Sequence, residues 1–245
     1  MHSLIIVAAG NGSRMGSIPI PKALFPINGK PNIEWIIESA RGYFDDIIIV
    51  ARNGFGFHFN YLKNSKETPI SILEISSGLG DGHAVLSTLQ ILKDQGKLDE
   101  RIITIIWGDL YCPTSILFVE LKSHISNISR QPIIVPVAYE KDPYVHFSID
   151  PDGKIRAANF SKFGEIITEG LHDQSVFMGS ARVFLKFLTD LHNSLWKDGK
   201  YVSNSGELNM LHIFHLMYNV GSPAIVHITE NILSSYNSVK EAEKI

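Results

Sequence analysis

The sequence has 245 residues, of which 44% are hydrophobic, 19% charged and 10% aromatic, and its formal net charge is −3. So much apolar material excludes a disordered chain, and the lack of a basic excess argues against nucleic acid or a membrane surface as partner. The one cysteine, Cys112, excludes an internal disulfide and fits a reducing, cytoplasmic setting. No apolar run reaches the roughly 18 residues of a membrane span, and no basic region precedes the first apolar stretch as in a signal peptide.

Residues 3–9, SLIIVAA, form a short continuous apolar run ending at glycine, which predicts a buried strand. Ile33, Ile36, Ile37 and Ala40 share one face of a helix predicted over 32–40. Buried strands are predicted at 46–51 and 70–75, a helix over 83–92, and a strand that opens RIITIIWGDLY and breaks at Gly108. A helix over 116–124 and a strand at 132–138 follow. This alternation predicts an α/β fold with a mainly parallel sheet covered by helices on both faces.

After about residue 140 the pattern changes. VHFSID and KIRAANF flank Pro151-Asp152-Gly153, a hairpin signal. Helices are predicted over 183–196 and 207–219, and a late strand at 224–228. The chain reads as a single α/β domain over 1–245. Residues 1–140 make its first half, and residues 141–245 carry a small antiparallel insertion, read as an acceptor-binding face or an oligomer contact.

The first strand runs into Ala9-Gly10-Asn11-Gly12-Ser13-Arg14-Met15-Gly16. Glycines let a backbone approach a ligand and turn its N–H groups toward phosphate oxygens. A Walker loop needs GxxxxGK[ST], and no lysine stands at the required place. A dinucleotide fingerprint needs GxGxxG opening a helix, whereas here the spacing is GxGxxxG and Pro19 and Pro21 follow. A plain surface turn explains the glycines but not Arg14 and Lys22 in the same excursion.

LIIVAAGNGSRMG followed by IPKALFPINGKPNIEWIIE resembles the N-terminal signature of the sugar-phosphate nucleotidyltransferases, LAAGxGxRM and then PKxLxxIxGKPxI. The resemblance implies a Rossmann-like fold in which Ala8, Ala9, Gly10, Asn11, Gly12 and Ser13 wrap a nucleoside triphosphate. It further implies that Arg14 and Lys22 hold the phosphates and the departing pyrophosphate. Ser77-Gly78-Leu79-Gly80-Asp81-Gly82-His83-Ala84 resembles the family's base-facing loop QLGTxHA, especially that of the N-acetylglucosamine-1-phosphate uridylyltransferase domain. Gly78, Gly80, Asp81, Gly82 and His83 are the nucleotide-binding candidates there. Trp107-Gly108-Asp109 resembles the family's magnesium-binding GD, and Asn237 matches the asparagine that serves as second metal ligand in the acetylglucosamine enzymes. Helix capping is the alternative role for Asn237. Both side chains offer hard oxygen suited to Mg2+.

The implied reaction is attack by an acceptor phosphate on the α-phosphorus of a nucleoside triphosphate, with pyrophosphate leaving in line. A phosphate monoester is largely ionised at neutral pH, so no side-chain base is required. Positioning, Mg2+ and cationic side chains carry the rate. Arg14, Lys22 and Asp109 form the expected catalytic set.

The resemblance thins toward the acceptor. Gly78 stands where the acetylglucosamine enzymes have a uracil-reading glutamine. Phe160 falls near their sugar-binding glutamate, and Phe177-Met178-Gly179 replaces their NTG motif, of which only Gly179 survives. Loss of such partners weakens discrimination for a hexose. It opens a cytidylyltransferase reading with a small non-sugar phosphate acceptor of phosphocholine, phosphonate or phosphoramidate type. Lys162, Gly179 and Arg182 are the acceptor-side candidates, with Glu169 and Asp173 as weaker ones. A nucleotide sensor without turnover, and a nicotinamide oxidoreductase, are the readings from other classes.

In this family such products feed capsule or other cell-surface polymers, and a homodimer is compatible with the resemblance. Because nothing follows residue 245, no acetyltransferase domain is expected. His212 and His215 lack partners at zinc spacing. Phe55, Phe57, His58, Phe59 and Tyr61 form an aromatic run that caps the sheet, lines an interface or shapes the acceptor side.

Overall fold

The computed structural model describes residues 1–10, 20–64, 67–76, 78–111, 115–128, 132–161, 167–236 and 238–242. Runs of Ile and Val make the central strands: β1 (His2–Ala8), β2 (Asp46–Arg52), β3 (Ile70–Ile75) and β4 (Ile102–Trp107). Branched Cβ atoms suit the pleat, and successive side chains face opposite sides. Ile5 therefore joins one core while Leu4 and Ile6 join the other, all three fully buried. Burying each such side chain contributes roughly 1.5–3 kcal/mol.

β1 lies between β2 and β4, parallel to both, with Ile5 opposite Ile48 and Ile105. β3 continues the parallel set beside β2. On the other flank β9 (Val176–Ser180) runs antiparallel between β4 and β5 (Ile133–Lys141). β10 (Ile225–Ile228) pairs parallel with β5, and β8 (Glu169–Asp173) pairs antiparallel with its far end. The eight strands make one large, mostly parallel sheet drawn from both halves of the chain. The β8–β9 hairpin was not predicted. It turns on Ser175 with φ +55°, and the buried carboxylate of Asp173 accepts the Ser175 N–H at 2.8 Å. That commits Asp173 to the turn rather than to an acceptor, while Glu169 begins β8 in an exposed position.

Helices α1 (Asn32–Ala40) and α3 (Ser115–Ser123) cover one face through Ile33, Ile36, Phe118 and Leu121. Helices α2 (Asp81–Asp94), α4 (Ala181–Leu195) and α5 (Ile213–Asn219) cover the other through Val85, Leu89, Phe184, Leu188 and Phe214. The predicted hairpin forms as β6 (Val145–Ile149) and β7 (Ile155–Phe160), a separate antiparallel pair. Its turn is closed by Asp150, whose carboxylate accepts from the N–H groups of Asp152 and Lys154 at 2.9 Å each. Phe147 carries this pair onto α5, with its ring edge-on to Phe214.

The helix predicted over 207–219 is shorter. Its first residues are not helical because the Leu208 carbonyl, which a helix would use, instead accepts from Gly82 N–H at 2.9 Å, while Leu208 N–H donates to Leu79 O. Asn209 then starts a 3-10 turn by accepting from Leu211 N–H. Of the aromatic run, Phe59 is buried in the core while Phe57 and Tyr61 are exposed. Among the described residues no helix is long and apolar enough to cross a membrane.

Candidate active site

The C-terminal ends of β1, β3 and β4 open on one cleft of about 390 Å³. Ligands bind at this end of parallel sheets, where loops diverge. The cleft is lined by Ala8, Ala9 and Gly10 after β1, by Ser76, Gly78, Gly80 and Asp81 after β3, and by Trp107, Gly108 and Asp109 after β4. Lys22 and Ala23, on a single 3-10 turn over Lys22–Leu24, close one side, and Glu207 stands at another.

Lys22 and Asp109 meet here. Lys22 Nζ donates to Asp109 Oδ2 at 2.6 Å, with both side chains half-buried. The approach depends on Gly108. Its N–H donates to Val7 O at 2.9 Å, and a Cβ on it would stand 3.1 Å from both Val7 O and Ala23 Cβ. The C-terminal segment completes the arrangement. Ser234 and Ser235 pair with Tyr111 and Leu110, and Tyr236 N–H reaches Asp109 O at 3.4 Å. The buried Tyr236 hydroxyl donates to Lys22 O at 2.6 Å, and the Lys22 ammonium lies 5.2 Å from the centre of its ring. Burial, and then the charge of Asp109, hold this phenol above its ordinary pKa.

On the opposite wall α2 begins after Gly80, whose φ of +98° is a left-handed conformation suited to glycine. A Cβ there would strike the carbonyl oxygen of Leu208. Asp81 accepts from Met210 N–H at 2.8 Å, and burial pushes its carboxyl up to about 6. Gly82 packs under the same loop, its N–H donating to Leu208 O at 2.9 Å.

The structure thus brings Ala8, Ala9, Gly10, Lys22, Gly78, Gly80, Asp81 and Asp109 to one cleft. Asn11, Gly12, Ser13, Arg14, Lys162 and Asn237 lie outside the described residues, as does Cys112. His83 faces a neighbouring groove beside Ser76 and His192, and its Nδ1 is 2.8 Å from the Tyr201 hydroxyl. Gly179 and Arg182 do not reach the cleft. Gly179 pairs with Ile103 near the start of β4, roughly 13 Å from Trp107 at about 3.3 Å per residue. It is pressed against Pro132 O, so it serves packing. Arg182 is ion-paired with Asp99 at 2.8 Å, on the exposed surface at that same end of the sheet.

Three contributors were missed in the sequence: Tyr236, Glu207 and Asn32, which supports the Asp109 loop. Only Asn32 left a signal, since it shares a helical face with Ile36 and Ala40.

The donor set suits a hard cation. Asp109 presents a carboxylate to the cleft, and the described residues hold no group of three His, Cys, Asp or Glu side chains that could bind a metal ion. One or two protein oxygens with substrate phosphates completing the shell is the usual Mg2+ arrangement. His212 packs edge-on against Phe160, and burial lowers its pKa; His215 is bonded to Asn219.

An α/β sheet with one cleft at the C-terminal ends of its parallel strands is also the architecture that comparison with known proteins returns. The chain belongs to the MobA-like NTP transferase domain family, whose model matches residues 4–169. It is 26% identical over 207 residues to the bifunctional protein GlmU of Xylella fastidiosa, covering 82% of this chain and 42% of that protein. It is 33% identical over 147 residues to GlmU of Coxiella burnetii, covering 58% of this chain and 29% of that protein. The chain therefore spans less than half the length of these relatives. Two solved structures share the fold, each with a TM-score of 0.76. One, from Bacillus anthracis, is described as a glucose-1-phosphate thymidylyltransferase in complex with sucrose; it is 16% identical and covers 100% of this chain and 93% of its own. The other is the nucleoside-diphosphate-sugar pyrophosphorylase of Vibrio cholerae RC9, 15% identical with 98% of each chain covered.

Proposed function

We propose that the protein transfers a nucleoside monophosphate from a nucleoside triphosphate to a phosphorylated acceptor, a sugar 1-phosphate first among them, and releases pyrophosphate. The observation that carries this reading is the Lys22–Asp109 pair at the mouth of the cleft over Ala8–Gly10. The names of the structural neighbours support the sugar phosphate. The backbone of residues 8–10 would seat the phosphates, and Lys22 would neutralise charge on the leaving pyrophosphate. Arg14 would share that task. Asp109, with Asn237, would hold Mg2+, which when bound supplies charge neutralisation on the reacting phosphates. The acceptor arrives as its own dianionic nucleophile, so the chain's work is to align two anions and stabilise the leaving group.

A second reading is favoured by Phe177. It is fully buried, and its ring lies 5.5 Å from that of the cleft residue Trp107. Phe177 is thus packed behind Trp107, outside the cleft lining, and gives a sugar hydroxyl no partner there. That suits a small non-sugar phosphate acceptor, the substrate class of the cytidylyltransferase reading. Pyrophosphate release is the test, with Mg2+, the four ribonucleoside triphosphates plus dTTP, and a panel of sugar and non-sugar phosphates. Release with a hexose 1-phosphate establishes the first reading, and CTP with a non-sugar acceptor establishes the second. Triphosphate binding without release for any pair would make the protein a nucleotide sensor.

A further inference from the structure

Asp109 stands on a loop that one side chain grips from beneath. Asn32, the first residue of α1 and fully buried, donates both amide hydrogens through Nδ2. One goes to Gly108 O at 3.0 Å and the other to Leu110 O at 2.9 Å. These two carbonyls flank Asp109 on either side in the chain.

Nothing local explains an asparagine here. The cap position of α1 is Pro31, and no side chain caps the helix. Asn32 Oδ1 is buried with no hydrogen-bond partner among the described residues. An unpaired buried acceptor lowers stability, and leucine or methionine is a better helix former than asparagine. Neither helix propensity nor core packing calls for an asparagine. What Asn32 does that an apolar residue cannot is hold the carbonyls of the residues on both sides of Asp109.

We propose that Asn32 is a positioning residue that aims the Asp109 carboxylate into the cleft to receive a divalent cation. The inference rests on the reading of Asp109 as a metal-holding residue. The loop keeps other anchors without Asn32: Gly108 N–H on Val7 O, and the pairing of Leu110 and Tyr111 with Ser234 and Ser235. Removal of the amide should therefore loosen the aim of the carboxylate while the fold persists.

The test uses Asn32→Leu and Asn32→Met beside Asp109→Ala. Mn2+ binding is followed by electron paramagnetic resonance with inorganic tripolyphosphate as a base-independent probe. Supporting groups behind a metal ligand typically govern affinity by roughly 10- to 100-fold. Mn2+ affinity should fall by about that factor in the Asn32 variants, toward the value for Asp109→Ala. Tripolyphosphate binding without metal should stay unchanged, and the variants should stay folded, with Tm lowered at most by the loss of the two hydrogen bonds to Gly108 O and Leu110 O. Adding Asn32→Leu to Asp109→Ala should cause no further loss, because the effect passes through Asp109. In turnover, kcat should fall while the acceptor KM holds.

Unchanged Mn2+ affinity, additive losses in the double variant, or failure of both apolar variants to fold would each overturn the proposal. So would wild-type Mn2+ affinity that does not depend on Asp109. If the wild type binds Mn2+ through Asp109 yet releases no pyrophosphate with any substrate pair, the transferase reading fails and the role of Asn32 stands.

Discussion

The phenol of Tyr236 donates a 2.6 Å hydrogen bond to the main-chain carbonyl of Lys22, a residue 214 positions earlier. The bond ties the end of the chain to the turn that carries the cleft lysine. It also lays the segment before Asn237 beside the Asp109 loop, where the second metal ligand is proposed. Tyr236→Phe keeps the ring under Lys22 and removes only this bond. Stability should fall by about 1 kcal/mol, or somewhat more because Lys22 O loses its donor. Thermal unfolding measures that loss. If the bond also sets the position of Lys22, kcat for pyrophosphate release should fall at the same time.

Lys22 itself is predicted to act on the triphosphate rather than on the acceptor. Lys22→Ala removes one charge-assisted contact and frees the Asp109 carboxylate from its 2.6 Å partner. Triphosphate KM should rise, or kcat fall, by roughly 10- to 100-fold, with acceptor KM changed far less. Steady-state kinetics with each substrate varied in turn checks the split. A dominant effect on acceptor KM would mean that the two subsites are exchanged.

Asp109→Ala should abolish the metal dependence of turnover and lower kcat by on the order of 10²–10³-fold or more, the scale for losing one preorganised electrostatic contact. Circular dichroism should be unchanged, because the loop is anchored through its backbone at Gly108, Leu110 and Tyr236. A variant whose rate still rises with added Mg2+ as the wild type's does would remove Asp109 from the metal site.

Gly80→Ala tests the cleft wall at the start of α2. The new methyl group must accept φ +98° and a collision with the carbonyl of Leu208. The backbone conformation alone costs about 1–3 kcal/mol. In a chain of this size Tm shifts by about 2–4 °C for each kcal/mol. Triphosphate affinity should fall together with Tm, since the α2 start and the 207–210 loop are hydrogen-bonded to each other through Gly82 and Leu208 and through Asp81 and Met210. A variant with the wild-type Tm would show that the two can separate.

Much of this architecture was readable from patterns of local origin. The Ile and Val runs gave the parallel strands, and the 3.6-residue spacing of Ile33, Ile36, Ile37 and Ala40 gave α1. What escaped depends on distant partners. Residues 207–210 have a helical pattern, but the distant Gly82 N–H claims the Leu208 carbonyl that a helix would need. Gly179 was expected at the acceptor as the surviving glycine of the NTG motif, and Arg182 because it lies just past it. In the fold β9 runs antiparallel to β4, so each later residue lies farther from the cleft. Asn32 occupied a visible helical face, but its polar side chain hid its place in the apolar stripe. Tyr236 carried no local signal, because its partner lies at the other end of the chain.

Asp81 provides a pH signature that separates stability from catalysis. Its carboxyl is raised from 3.8 to about 6 by burial, against the pull of the Met210 and Gly82 N–H groups. The folded state therefore binds the proton more tightly than the unfolded state does. The penalty for keeping the group ionised is present in full above pH 6 and vanishes as pH falls below 3.8. Asp81→Asn keeps the shape and an acceptor for Met210 N–H while removing the charge. At pH 7–8 the variant should be more stable than the wild type by up to about 3 kcal/mol. The difference should shrink through pH 6 and be gone near pH 4. Denaturant midpoints measured across that range check the sign. A constant difference from pH 8 to pH 4 would assign the gain to packing, and a lower stability at pH 8 would show that the ionised carboxylate holds the 207–210 loop better than an amide can.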